Sequence, residues 1–206
     1  MLIDKVCLGK MFLKVAELWK AESVHLSEID SRFGDGDHGV TINKIAMLIE
    51  KKVLKWGDES LGEFIEDLGD EIMAVNGGSA GPLYGTMVGG LAEPLNGVKE
   101  IDGQVLKDMF LGSLSAMEDI TKAKVGDKTM MDALIPAVIA AQEAGDDVEE
   151  ILLRAKAAAI EGAKASEGFI SKYGRAKSYK EQTIGTPDAG AVSASIFFVG
   201  LADGIC

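Results

Sequence analysis

Cysteine is scarce in this chain of 206 residues: Cys7 and Cys206 are the only two. A single pair set at opposite ends gives neither a disulfide framework nor the spacing of a zinc site, which fits a reducing compartment, and by sequence neither residue is a candidate nucleophile. Long apolar runs are also missing. No segment reaches the roughly 20 residues that cross a bilayer, and Met1-Leu2-Ile3-Asp4-Lys5 lacks the basic start and continuous apolar core of a signal peptide. A cytoplasmic location without a membrane partner is expected. Positive charge is in short supply, with 21 Lys and Arg against 33 Asp and Glu and a net charge of -12. No dense basic stripe alternates with aromatics, so nucleic acid is not an expected partner. There are four prolines and no proline-rich linker, low-complexity tract or fixed-period repeat to divide the chain. With 47% apolar residues, residues 1–206 can bury a substantial core and are read as one domain.

What the chain does have is a concentration of carboxylates. Asp30, Asp35 and Asp37 stand within Ile29-Asp30-Ser31-Arg32-Phe33-Gly34-Asp35-Gly36-Asp37-His38-Gly39. Carboxylates two apart diverge on a strand and do not share a helix face, but Gly34, Gly36 and Gly39 allow left-handed turns that bring their oxygens together. Converging carboxylates favour a divalent cation. Magnesium keeps waters and takes one or two carboxylates plus phosphate oxygens, so a phosphorylated ligand is implied. The alternative is a solvated acidic turn, since Asp and Gly are ordinary turn formers.

The residues that follow favour the metal. Ile42, Ile45, Ala46, Ile49 and Val53 recur at helical spacing, so the glycine loop runs straight into a helix N-terminus. Its unpaired N–H groups and positive dipole end attract anions, and Thr41 adds a hydroxyl there. The loop is no EF-hand, because the helix begins too soon for a twelve-residue loop ending in glutamate. Nor is it a P-loop, because no Gly-Lys-Ser/Thr follows.

Helical periodicity recurs over Val6 to Leu18, from Val40, and over Leu61 to Ile72, Leu83 to Leu91, Leu106 to Met117, Met131 to Ile139 and Val148 to Ala165. Ala189 to Leu201 suits a buried strand by its Val192, Ile196, Phe197, Phe198 and Val199, and a helix by its length and alanine content; helix is expected. About eight helices with short polar connections predict an all-α bundle of antiparallel neighbours.

Four connections are richer than plain turns: the acidic loop, Asn76 to Pro82, Lys124 to Met130, and Gly174 to Gly190. Gathered at one face they form a polar pocket. Gly77, Gly78 and Gly81 permit close backbone approach, with Ser79 donating; the alternative is a helix connection followed by Pro82 at a first helical position. Arg175 offers a planar fork to phosphate and Lys128 a point charge, although most such residues are simply solvated. Asp188 is a candidate N-cap, as are Asp127 and Asp132 around the sixth helix start. His38, inside the acidic loop, is read as a ligand or substrate contact, and Met130 as core filler or a resting place for a base.

These blocks, Gly34-Asp35-Gly36-Asp37-His38-Gly39, Gly78-Ser79-Ala80-Gly81-Pro82-Leu83-Tyr84-Gly85, Gly126-Asp127-Lys128-Thr129-Met130-Met131-Asp132-Ala133, Gly174-Arg175-Ala176 and Pro187-Asp188-Ala189-Gly190-Ala191, resemble in order and spacing the nucleotide-binding L subunit of dihydroxyacetone kinase. The resemblance covers about Asp30 to Ser193. It implies a barrel of eight antiparallel helices with the nucleotide, ADP or ATP, at one end. Asp30, Asp35 and Asp37 would hold two magnesium ions on its phosphates. His38, Gly39, Val40, Thr41, Ser79, Ala80, Met130, Arg175, Asp188, Ala189 and Gly190 would lie around it. It also implies two partners: a separate K subunit that carries dihydroxyacetone covalently on a histidine, and a phosphoryl donor protein of the phosphoenolpyruvate phosphotransferase system. The chain departs from the family pattern at Thr121, where glycine is common, at Lys180-Glu181-Gln182, in place of Gly-Glu-Arg, and at Thr186 and Ala189, in place of His and Pro.

The expected activity is phosphoryl transfer to a hydroxyl of dihydroxyacetone or a related short keto-sugar, of the phosphoenolpyruvate-glycerone phosphotransferase type, with Arg175 as the catalytic cation and no protein nucleophile. ADP would be a permanent cofactor. Direct use of ATP, or a nucleotide-loaded module acting on a regulator, are the alternatives. A third, the related fatty-acid kinase domain, fits less well, because its acidic motif continues Asp-Thr-Gly-Thr-Asn where this chain has Asp37-His38-Gly39-Val40-Thr41.

Overall fold

The computed structural model describes residues 1–206 as eight α-helices: α1 (Lys5–Asp30), α2 (His38–Leu54), α3 (Leu61–Met73), α4 (Ala80–Gly89), α5 (Gly103–Ile120), α6 (Met131–Gln142), α7 (Val148–Ala165) and α8 (Ala189–Asp203). No β-sheet forms. One bridge between Ile3 and Ile101 ties the amino terminus to the approach of α5. The all-α expectation holds, and the ambiguous last segment is a helix. Its Phe197 and Phe198 are buried, with Gly200 resting on Val15 of α1.

Each helix packs on its neighbour in sequence, and α8 returns to α1, so the ring closes. Fifty buried residues form one continuous core. Trp19 sits in it between Tyr84 and Phe197, with ring centroids 5.2 and 5.9 Å away. In an antiparallel ring the even-numbered helices begin, and the odd-numbered ones end, at the same end of the barrel. The four irregular connections seen in sequence are the four that fall there.

The two ends are capped differently. The odd helices start at the far end, where Asp4, Ser60, Asp102 and Asp147 each accept a backbone N–H and close the first turn; Ser60 does so in a capping box with Glu63. At the near end only α8 is capped, by Asp188. The residues preceding α2, α4 and α6, namely Asp37, Ser79 and Met130, make no side-chain capping bond. At α6 the first-turn N–H groups are nonetheless taken, by the Thr129 hydroxyl and by the Thr129 and Met130 carbonyls, whereas the uncapped first turns of α2 and α4 leave N–H groups without partners and available to a ligand.

Two boundaries differ from the sequence reading. α1 does not stop near Leu18 but runs on to Asp30, because Leu26 and Ile29 continue its buried face. Residues Arg175–Thr183, expected as loop, form 3-10 turns broken by a kink at Lys180 (φ 49°).

Candidate functional site

The near end of the barrel encloses a cavity of about 330 Å³. Asp30 reaches it from the last position of α1, and Asp35 and Asp37 from the loop that follows. One oxygen from each of the three carboxylates lies within 4.8 Å of the other two. The turn is built around Asp30, whose Oδ2 accepts the Gly36 N–H at 2.9 Å. The glycines serve different ends. Gly36 alone adopts the left-handed region (φ 74°), whereas a Cβ on Gly34 would strike the Asp30 carboxylate and one on Gly39 the Ser23 carbonyl. Gly39 thus lets α2 lie close against α1, a packing role that the motif does not reveal.

Burial, and then the facing charges of Asp35 and Asp30, push the Asp37 carboxyl above the ordinary range. Three oxygen donors that repel one another are a fitting set for a hard divalent cation. Arg175 is the nearest cation, its Nη2 2.8 Å from Asp35 Oδ2.

Of the residues singled out in sequence, His38, Ser79, Ala80 and Met130 line the cavity, as do Arg175, Asp188, Ala189 and Gly190. Gly39, Val40 and Thr41 do not. Val40 faces solvent, and Thr41 is buried beneath Gly77, whose missing Cβ leaves room for it. Thr41 therefore supports the Gly77-Gly78 turn from below. A Cβ added to Gly78 would in turn come within 4.0 Å of the Asp37 carboxylate. Pro82 is the third residue of α4, not the first.

Lys128 plays a different part from the point charge expected. It is 4% exposed, and its ammonium donates to the carbonyls of Ser166 (2.6 Å), Thr186 (2.5 Å) and Phe169 (3.2 Å). A buried ammonium saturated by carbonyls is not free to meet phosphate; it pins the long α7–α8 connection against the start of α6. Burial lowers its pKa. Asp188, half-buried beside it at the cavity wall, is pushed up to about 7, mainly by desolvation and against the N–H of Ala191 that it caps. Asp132 accepts the N–H groups of Gly126 and Thr129 at 2.6 Å and shapes the turn before α6. Asp127 pairs with Lys172.

Sequence reasoning missed a polar network behind the cavity. Ser193 Oγ lies 2.6 Å from Tyr84 Oη and 2.8 Å from His38 Nε2, and the Trp19 indole donates to the Ser193 carbonyl at 2.8 Å. Burial lowers the His38 pKa, which favours the neutral ring. The two serines, Ser193 and Ser195, in an otherwise apolar helix were the available signal.

Of the departures from the family pattern, Thr121 caps the end of α5 and does not line the cavity. Lys180, Glu181 and Gln182 are exposed on the 3-10 segment. Thr186 and Ala189 do line it, and the Thr186 hydroxyl accepts from Arg32 at 3.3 Å. Phe33 and Tyr179, with ring centroids 5.2 Å apart, join the acidic loop to the 3-10 segment beside the mouth.

A closed ring of eight helices with an acidic cluster and two open helix starts at one end defines a structural class that has solved relatives. The dihydroxyacetone kinase of C. freundii superposes with a TM-score of 0.73 at 26% identity, covering 95% of this chain and 34% of that one. The chain belongs to the DAK2 domain family, whose profile matches residues 32–203. Among its curated relatives, the PEP-dependent dihydroxyacetone kinase ADP-binding subunit DhaL of Escherichia coli is 27% identical over 92% of this chain and 91% of its own length. Dihydroxyacetone kinase 1 of Saccharomyces cerevisiae is 35% identical over 92% of this chain. The L-erythrulose kinase of Pectobacterium atrosepticum is 28% identical. The chain spans about a third of the length of these last two. No helix is long and apolar enough to cross a membrane.

Proposed function

We propose that residues 1–206 act as a single nucleotide-binding phosphotransfer domain, the ADP-binding subunit of a kinase for dihydroxyacetone or a related short keto-sugar. The observation that carries this reading is the pairing, at one cavity, of three convergent carboxylates with the uncapped starts of α2 and α4. Carboxylates alone repel a polyphosphate, and free N–H groups alone do not hold a cation. Together they suit a nucleotide di- or triphosphate with its metal.

Asp30, Asp35 and Asp37 would hold the magnesium, two ions in our reading, and its chemistry there is neutralisation of phosphate charge. Around it the chain supplies position. Ser79, Ala80 and the Gly77-Gly78 turn offer backbone N–H groups to phosphate oxygens, and Arg175, exposed at the mouth, offers a fork of donors to the phosphoryl group that is passed on. Neutral His38 is held by Ser193 at the start of α2. Met130 and Leu83 give the cavity an apolar wall for a base. No side chain of this domain need act as nucleophile. The keto-sugar would be presented by a separate K subunit docking at the mouth.

The subunit relatives whose length this chain matches are named PEP-dependent in Escherichia coli and PTS-dependent in Lactococcus lactis, which supports ADP as a permanent cofactor recharged by a phosphotransferase-system protein. A second reading, direct use of ATP in the cytoplasm, is supported by the 35% identity to the yeast relative, whose name, unlike those of the subunits, carries no phosphoenolpyruvate dependence. Reconstitution separates them. With a K subunit and dihydroxyacetone, product should form from phosphoenolpyruvate and the phosphotransferase proteins at catalytic nucleotide. Turnover with ATP alone would establish the second reading, and binding of nucleotide and partner without product would contradict both.

A further inference from the structure

The two cysteines, 199 positions apart, meet at the far end of the barrel. The backbone N–H of Cys206 donates to the Cys7 sulfur at 3.1 Å. Their approach follows from how α8 lies on α1. Gly200 sits on Val15 and Gly204 on Met11, in each case with the position of a Cβ only 2.6 Å from the α1 Cα. Val15, Met11 and Cys7 are successive turns on one face of α1, so the contact descends the helix and delivers Cys206 to Cys7. Larger side chains at the two glycines would lift the tail away. The Cys206 backbone already touches the Cys7 sulfur, and because Cys206 lies in the short tail beyond α8, movement of that tail alone can bring the two residues into disulfide geometry with both helices left in place.

We propose that Cys7 and Cys206 form a site of reversible oxidation, closing a disulfide that staples α1 to the carboxyl-terminal turn when a low-molecular-weight disulfide such as oxidised glutathione accumulates. Cys206 is exposed and Cys7 is buried, which sets the order of events. The Cys206 thiolate attacks one sulfur of oxidised glutathione, forming a mixed disulfide and releasing one glutathione. Cys7 then loses its proton and attacks the Cys206 sulfur, the protein disulfide forms, and the second glutathione leaves. Two thiols are oxidised and one glutathione disulfide is reduced to two thiols. Burial pushes the Cys7 thiol up to about 11, so the second step is the slow one. The site lies at the opposite end from the nucleotide cavity, so the reaction is independent of the proposed activity.

The test treats the full chain with oxidised glutathione and follows intact mass, free thiols and non-reducing peptide maps. The expected result is a protein about 2 Da lighter with no free thiol, a Cys7–Cys206 cross-linked peptide, and a Tm raised by about 5–15 °C that dithiothreitol reverses. Cys7→Ser should stop at a lasting glutathione adduct on Cys206. Gly204→Val should slow closure with both cysteines intact. Retention of both thiols, a persistent mixed disulfide in the unaltered chain, or cross-linking between chains would each overturn the assignment.

Discussion

Arg175 stands 2.8 Å from Asp35, and this ion pair joins the 3-10 segment to the acidic loop across the mouth of the cavity. The arginine side chain is 72% exposed, so the pair is a weak tie that an arriving phosphate can exchange. Arg175 is the one cation at the mouth positioned to follow a phosphoryl group. Arg175→Ala should lower kcat by about 10²–10³-fold, in the range of losing one transition-state donor, while the domain still retains ADP. Steady-state kinetics in the reconstituted system, beside equilibrium dialysis of ADP, would reveal the split. An equal loss of binding and rate would instead make Arg175 a ground-state ligand.

Lys128 should matter through architecture. Lys128→Met leaves the carbonyls of Ser166, Thr186 and Phe169 facing an apolar side chain, and an unmade buried hydrogen bond costs about 1–3 kcal/mol. We expect a loss of about 2–4 kcal/mol in urea unfolding, with the α7–α8 connection becoming quick to exchange amide hydrogens. Unfolding at the same urea midpoint as the parent would refute the pinning role.

Asp188 predicts a pH dependence. Its folded pKa of about 7 is above the ordinary value of 3.8, so between those limits the folded state binds more protons than the unfolded one. Stability from this group is therefore highest at acid pH and declines as pH rises from about 4 to about 7. Lys128, Asp132 and Asp30 are the charges that face it. His38, lowered by burial, acts in the opposite sense below its ordinary 6.5, which is why a variant is needed to isolate the effect. Thermal unfolding of nucleotide-free Asp188→Asn should show a shallower decline across pH 4–7 than the parent, and parallel curves would refute the assignment.

Much of this organisation was legible in sequence, and the physical reason is period. Residues such as Leu61, Phe64, Ile65, Leu68 and Ile72 mark a buried stripe without reference to anything distant. Glycine-rich loops with carboxylates and hydroxyls likewise announced the near end. What sequence left out depends on long-range contact. Nothing local tells that Thr41 lies under Gly77, that Lys128 turns inward to three carbonyls from another connection, or that Ser193 joins His38 to Tyr84. By sequence Asp30 reads as part of the glycine loop; the buried Leu26 and Ile29 carry the helix through to it.

Ser193 offers a check on that network. Ser193→Ala removes the partner shared by Tyr84 and His38 in a buried setting, and should cost about 1–3 kcal/mol. Retention of stability in Ser193→Ala, measured by denaturant unfolding, would show that water replaces the hydroxyl.

The most direct test of the account is native mass spectrometry of the protein after loading with ADP and magnesium and removal of free nucleotide, on the parent chain and on Asp35→Ala and Asp37→Ala. The parent should carry ADP with magnesium and lose both on chelation. Each variant should keep its helical circular dichroism yet bind ADP at least about 10–100-fold more weakly, the cost of one charge-assisted contact. Equal retention of ADP by parent and variants, or no retention by any of them, would contradict the assignment of Asp30, Asp35 and Asp37 to a metal-held nucleotide.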